Sequence, residues 1–269
     1  MLPWGIDMKQ GNGDRRNRSM KKGIYLLPSI FTSLSLFCAF YSITASIKGS
    51  ILHACWAIII AGVFDGLDGR IARLTGSTSK FGEEYDSLVD MISFGIAPAI
   101  LVYNWALQPY GRWGWLVAFL YIICTALRLA RFNVQSESRE NKYFQGLPTP
   151  GAAGMIATTV IIFNNLGMPV IKNVTIPIIT CLLALLMVSN IRYYSIKDFN
   201  FRKRRPFSTL LAFVFLLILF LGEPEIFLFI TGIIYTISGP VGFFIMKRKR
   251  RILKQELKET NNYNNISKL

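Results

Sequence analysis

Between Asp65 and Asp90 the chain reads D-G-L-D-G-R-I-A-R-L-T-G-S-T-S-K-F-G-E-E-Y-D-S-L-V-D, which puts Asp65, Asp68, Asp86 and Asp90 inside two otherwise apolar segments. Charged side chains at membrane depth are costly and are rare without a function. Four of one sign, close in sequence, repel unless cations sit between them. On a helix, Asp65, Asp68, Gly69 and Ala72 share one face, with Arg73 at its edge; Gly82, Asp86 and Asp90 share a face of the next. Two such faces meeting suit hard divalent cations such as Mg²⁺ or Mn²⁺, which take oxygen ligands and often bind substrate phosphate as well.

The small residues on these faces have two readings. Gly69, Ala72 and Gly82 let helices pack closely, or leave room for a flat ligand beside the metals; their coincidence with the acids favours the second. The connecting T-G-S-T-S-K offers hydroxyls, backbone N–H groups and a cation, which suit phosphate and equally an ordinary turn. A structural charge network with Arg70 and Arg73 is the bland alternative. A cation transporter is the rival of a different class, although transport sites favour the bilayer midplane and repeated halves.

These faces need a scaffold. The chain is 52% hydrophobic with 20 Phe, the composition of a polytopic membrane protein. Apolar stretches at about 24–46, 51–68, 87–107, 113–130, 150–167, 170–191, 207–222 and 225–246 predict an all-α bundle of about eight transmembrane helices. The net charge of +15 is distributed by side. With the N-terminus inside, all of the 30 Lys and Arg except Lys48, Arg112 and Lys172 fall in cytoplasmic segments. The basic run at 247–251 then reads as an anchor on anionic headgroups, not as a nucleic-acid site. Cys38, Cys55, Cys124 and Cys181 are widely spaced and read as core residues. The single histidine, His53, is expected at the outer end of the second span, far from the acids. Three parts follow: a basic cytoplasmic segment 1–22, a membrane catalytic domain 23–246 and a basic cytoplasmic tail 247–269.

The pattern Asp65-x-x-Asp68-Gly69-x-x-Ala72-Arg73, eight residues, Gly82, three residues, Asp86, three residues, Asp90 resembles the signature of the CDP-alcohol phosphotransferases. A-L-R-L-A-R-F-N-V at 126–134, F-Q-G-L-P-T-P at 144–150 and L-P-S-I-F-T-S-L-S-L-F-C at 27–38 resemble its phosphatidylserine synthase branch. Relatives commonly carry Asn where this chain has Ser29 and Ser35, and Gly where it has Ala39. The resemblance implies a six-helix core plus two C-terminal helices and transfer of a phosphatidyl group from CDP-diacylglycerol to L-serine with release of CMP. It implies two Mg²⁺ or Mn²⁺ ions per active site, on Asp65, Asp68 and Asp86. Asp90 is implied as the general base, also within reach of a metal. The CDP-lipid is expected at Ser29, Thr32, Gly69, Ala72, Arg73, Ser79 and Gly82. Guanidinium suits a carboxylate, so Arg128 and Arg131, with Asn133 beside them, are candidates for serine or phosphate. The resemblance further implies a homodimer in a bacterial inner or archaeal plasma membrane, with the site and both termini cytoplasmic. Sibling enzymes using glycerol 3-phosphate or inositol phosphate call for a larger cation cluster.

Overall fold

A computed structural model of the chain describes residues 11–77, 79–137, 144–168, 173–193 and 206–266. Thr78, residues 1–10, Lys172 and the basic residues within 138–143 and 194–205 lie outside the described residues. The architecture is helical: α1 Gly11–Ile47, α2 Ile51–Thr75, α3 Lys80–Tyr110, α4 Arg112–Glu137, α5 Thr149–Asn165, α6 Thr175–Val188, α7 Pro206–Gly222 and α8 Pro224–Ile266. These eight helices stand where the apolar stretches predicted them. Among the described residues, five contain a segment long and apolar enough to cross a membrane, in α1, α2, α3, α4 and α8. The helices α5 and α7 have 17 residues and α6 has 14. At 1.5 Å per residue these three fall short of a hydrocarbon core about 30 Å thick.

The tightest packing joins α1 to α2 through small residues. Ser35 and Ser42 on α1 donate to the carbonyls of Ala61 and Ala54 on α2, at 3.1 and 2.8 Å. Ala39, Ala54 and Ala61 are fully buried between them. Hydroxyls bonded across the interface and methyl-sized side chains let two backbones approach closely. The same face of α2 that carries Ala54 and Ala61 carries Asp68 one further heptad along, so this packing aims the first acidic pair inward.

α3 begins before its apolar stretch. Its first turn, K-F-G-E-E-Y, is polar, yet it is helical because Ser79 caps it, accepting the Gly82 N–H at 3.0 Å. Directly after Asp90 the helix widens into a π-turn over Met91–Ile96. Pro98 lacks the N–H that would bond the Phe94 carbonyl, and the buried Tyr121 hydroxyl of α4 donates to that carbonyl at 3.2 Å instead. At the next position, Gly95 packs on Thr125: a Cβ there would come 3.1 Å from its methyl.

The loops at the acid end are strapped together. Phe144–Gln145 (β1) pairs antiparallel with Arg192–Tyr193 (β2), with Phe144 opposite Tyr193. The Gly146 N–H donates to Ile191 at 2.8 Å and that of Leu147 to Leu186 at 3.1 Å. Gly146 sits at φ 83°, and a Cβ on it would lie 2.1 Å from the Met187 carbonyl oxygen. Gly146→Ala is therefore expected to destabilise the protein by about 2 kcal/mol. Thermal unfolding in detergent checks this; an unchanged midpoint would mean the two loops are not pinched at this point.

Candidate active site

The close packing of α1, α2 and α3 brings the acids together. Asp65, Asp68 and Asp86 each offer a carboxylate oxygen, and these three oxygens lie within 4.8 Å of one another. Asp90, one turn along α3 from Asp86, lies against Asp65. Among the described residues no Lys or Arg nitrogen lies within 4.0 Å of the four carboxylates, so Arg70 and Arg73 do not form the charge network that the sequence allowed. Asp68 is only 4% exposed. Its oxygen Oδ2 is 2.9 Å from the Thr32 hydroxyl, which also lies 3.1 Å from the Pro28 carbonyl. Burying several carboxylates without a neutralising cation is strongly unfavourable, so this donor set fits a divalent ion held by Asp65, Asp68 and Asp86.

Beside the acids is a cavity of about 200 Å³. Asp68 and Asp86 form one wall, and Ser29, Thr32, Gly69, Ala72, Arg73, Ser79 and Gly82 all line it. The two readings of the small residues now separate. A Cβ on Gly69 would meet nothing nearer than the tip of Arg73, at 3.9 Å, so helix packing does not require glycine there, and space beside the acids is what its absence of a side chain provides. A Cβ on Gly82 would sit 3.2 Å from Ser79 Oγ, so Gly82 serves the cap as well as the cavity. Ser35, by contrast, is engaged between helices, with Ala61 and with Ser93 at 3.3 Å. Ser77, from the T-G-S-T-S-K segment whose hydroxyls were read as suited to phosphate, also lines the cavity; sequence reasoning passed over Pro28 and Glu83, which line it too. Only their nearness to the signature hinted at them.

The candidate acceptor residues separate in the same way. Arg131 is engaged by the fold: it donates to Val188 at 3.2 Å, to Asn190 at 2.6 Å and to Gln145. It thereby fastens α4 to the β1–β2 strap. Asn133 and Ser87 bond each other across α4 and α3, at 3.1 Å from the amide nitrogen. Arg128 is 8% exposed and donates to Thr149 at 3.1 Å, while its Nε has no partner. It stands within electrostatic reach of Asp90. A buried guanidinium with an unused donor facing no protein acceptor is a ready site for an anion. Thr149 was not singled out in the sequence, although it lies in the G-L-P-T-P segment that was. His53 is exposed near the start of α2, twelve residues from Asp65, or roughly 18 Å along the helix. The four cysteines are free thiols.

Residues 25–188 match the family model described as CDP-alcohol phosphatidyltransferase. The chain is similar to CDP-diacylglycerol–serine O-phosphatidyltransferase of Helicobacter pylori strain 26695, 36% identical over 229 residues that cover 84% of this chain and 94% of that protein. It is also similar to archaetidylserine synthase of Methanothermobacter thermautotrophicus, 39% identical over 169 residues, or 62% of this chain and 69% of the relative. A third relative is the Saccharomyces cerevisiae CDP-diacylglycerol–serine O-phosphatidyltransferase, 32% identical over 168 residues, or 57% of this chain and 60% of the relative. With its carboxylates gathered on two helices and a cavity opening beside them, the chain belongs to the CDP-alcohol phosphatidyltransferase family.

Proposed function

We propose that the protein transfers the phosphatidyl group of CDP-diacylglycerol to the hydroxyl of L-serine, giving phosphatidylserine and CMP. The observation that carries this reading is the gathering of four carboxylates beside a cavity that Asp68 and Asp86 line and that Gly69 keeps open. The names of the relatives, from bacterium to yeast, supply the acceptor. The catalytic unit is taken as residues 23–246, with the basic segments 1–22 and 247–269 flanking it. Asp65, Asp68 and Asp86 would hold the Mg²⁺ or Mn²⁺, two ions being expected, and the bound metal would supply charge neutralisation for the pyrophosphate and the departing CMP. The side with most of the Lys and Arg is taken as cytoplasmic, which gives soluble serine access and releases CMP to the cytoplasm. A homodimer is the expected assembly.

The chain's own residues then have distinct tasks. Ser29, Thr32, Arg73 and Ser79 hold the phosphates and the nucleotide, and Gly69, Ala72 and Gly82 give it room. Arg128 takes the serine carboxylate, with Thr149 fixing one end of the guanidinium. Arg131 holds the mouth of the site by fastening the strap. Asp90, beside Asp65, accepts the proton from the serine hydroxyl. The serine oxygen bonds to the phosphorus of the phosphatidyl group as the bond from that phosphorus to the CMP oxygen breaks, and the proton leaves Asp90 for solvent or product. No covalent enzyme intermediate is needed.

The direct test is CMP release by purified protein with CDP-diacylglycerol and Mg²⁺ or Mn²⁺, offering serine, glycerol 3-phosphate and inositol phosphate separately. Release that needs both serine and metal is expected. Release only with another acceptor would overturn the serine assignment, and no release from folded protein would favour cation transport. Asp90→Asn is expected to bind CDP-diacylglycerol but lose at least about a hundredfold in kcat; near-normal turnover would remove Asp90 as the base. Gly69→Val is expected to raise the KM for CDP-diacylglycerol by about tenfold and leave that for serine unchanged. A normal KM would mean the cavity beside Gly69 holds no part of the donor. Arg128→Ala is expected to raise the serine KM by at least about tenfold; an effect confined to the lipid would reassign Arg128 to phosphate.

A further inference from the structure

The helix α8 lies beyond the residues matched by the family model, yet it packs along α5 and against β2. Its attachment is specific. Tyr193, 1% exposed, donates its hydroxyl to the Thr236 carbonyl at 3.1 Å. Its ring occupies the space that Gly239 leaves: a Cβ on Gly239 would come 2.3 Å from it. This seat fixes Tyr235, whose ring centroid is 5.6 Å from that of Tyr193. The edge of the Tyr235 ring lies against Gly151, 3.5 Å from where a Cβ would be. Gly151 belongs to the first turn of α5, the turn from which Thr149 holds Arg128. Tyr235 thus stands within electrostatic reach of the Arg128 guanidinium. Among the described residues its hydroxyl has no hydrogen-bond partner.

We propose that Tyr235 is a specificity residue of the acceptor site, its hydroxyl and the Arg128 guanidinium together holding the carboxylate of the amino-acid acceptor. The inference rests on the serine reading. One cation and one neutral donor match a carboxylate of single charge. A second cation in place of the tyrosine would favour doubly charged phosphate acceptors and repel the serine ammonium, so a neutral hydroxyl also discriminates against the wrong substrates. The C-terminal helix, outside the family's matched segment, would in this way complete the acceptor site of this chain.

Tyr235→Phe removes the hydroxyl and keeps the ring contacts with Tyr193 and Gly151. In the full-length protein it is expected to raise the serine KM by about tenfold, with kcat within about twofold, an unchanged KM for CDP-diacylglycerol and an unchanged thermal midpoint. An unchanged serine KM overturns the inference, as does a loss confined to kcat or an equal rise in both KM values. If the unaltered protein releases CMP without needing serine, the serine reading falls and this inference with it. Serine-dependent release that Tyr235→Phe leaves untouched overturns the inference alone.

Discussion

Mutual repulsion among Asp65, Asp68, Asp86 and Asp90 is the constraint around which the rest of the bundle is arranged. Carboxylate oxygens from three residues within 4.8 Å of one another, that of Asp68 buried and the other two half-buried, push their helices apart unless packing elsewhere holds the helices together. That packing is supplied deeper in the bundle. Serine hydroxyls bond carbonyls across α1 and α2, buried alanines remove bulk between them, and Gly95 seats α3 on α4. A divalent ion would turn the repulsion into attraction, so metal binding and the close approach of α2 and α3 are thermodynamically linked.

The acidic end also divides labour by charge. On the α1–α2–α3 side the wall is made of small residues, hydroxyls and the exposed Arg73, which suits a large anionic donor. On the α4–α5 side a buried arginine stands near Asp90, which suits a small zwitterion that must be both held and deprotonated. Arg131 looks equivalent to Arg128 in the sequence, three residues away on the same helix. The fold separates them because Arg131 reaches the carbonyl and amide oxygens of two loops, whereas Arg128 points into the bundle.

Much of this was legible in the residues. The acids and glycines are read from helical spacing, and spacing along one helix survives folding; all seven residues expected around the CDP-lipid line one cavity. The eight helices were legible because apolar length is a local property. Less visible were features that depend on partners far along the chain. The different fates of Arg128 and Arg131 are set by Thr149, Gln145, Val188 and Asn190. The Ser79 cap that starts α3 at Lys80 was not read, although helical spacing already put Gly82 on that helix. The role of Tyr193 depends on a glycine 46 residues later, which pattern alone cannot pair with it.

The π-turn after Asp90 has a consequence of phase. A regular helix turns each residue about 100° from the last, so any two faces along it keep a fixed angle. The extra residue accommodated at Met91–Ile96 resets that angle, letting the first part of α3 turn Asp86 and Asp90 toward the acids while the part after the turn points Ala97 and Leu101 into the core. Pro98 and Tyr121 keep the offset in place, one by withholding a donor and the other by supplying it. At this joint the helix behaves as two rulers joined out of step. Selection on the lipid-embedded half can therefore alter packing there without rotating the carboxylates, provided that the joint is kept.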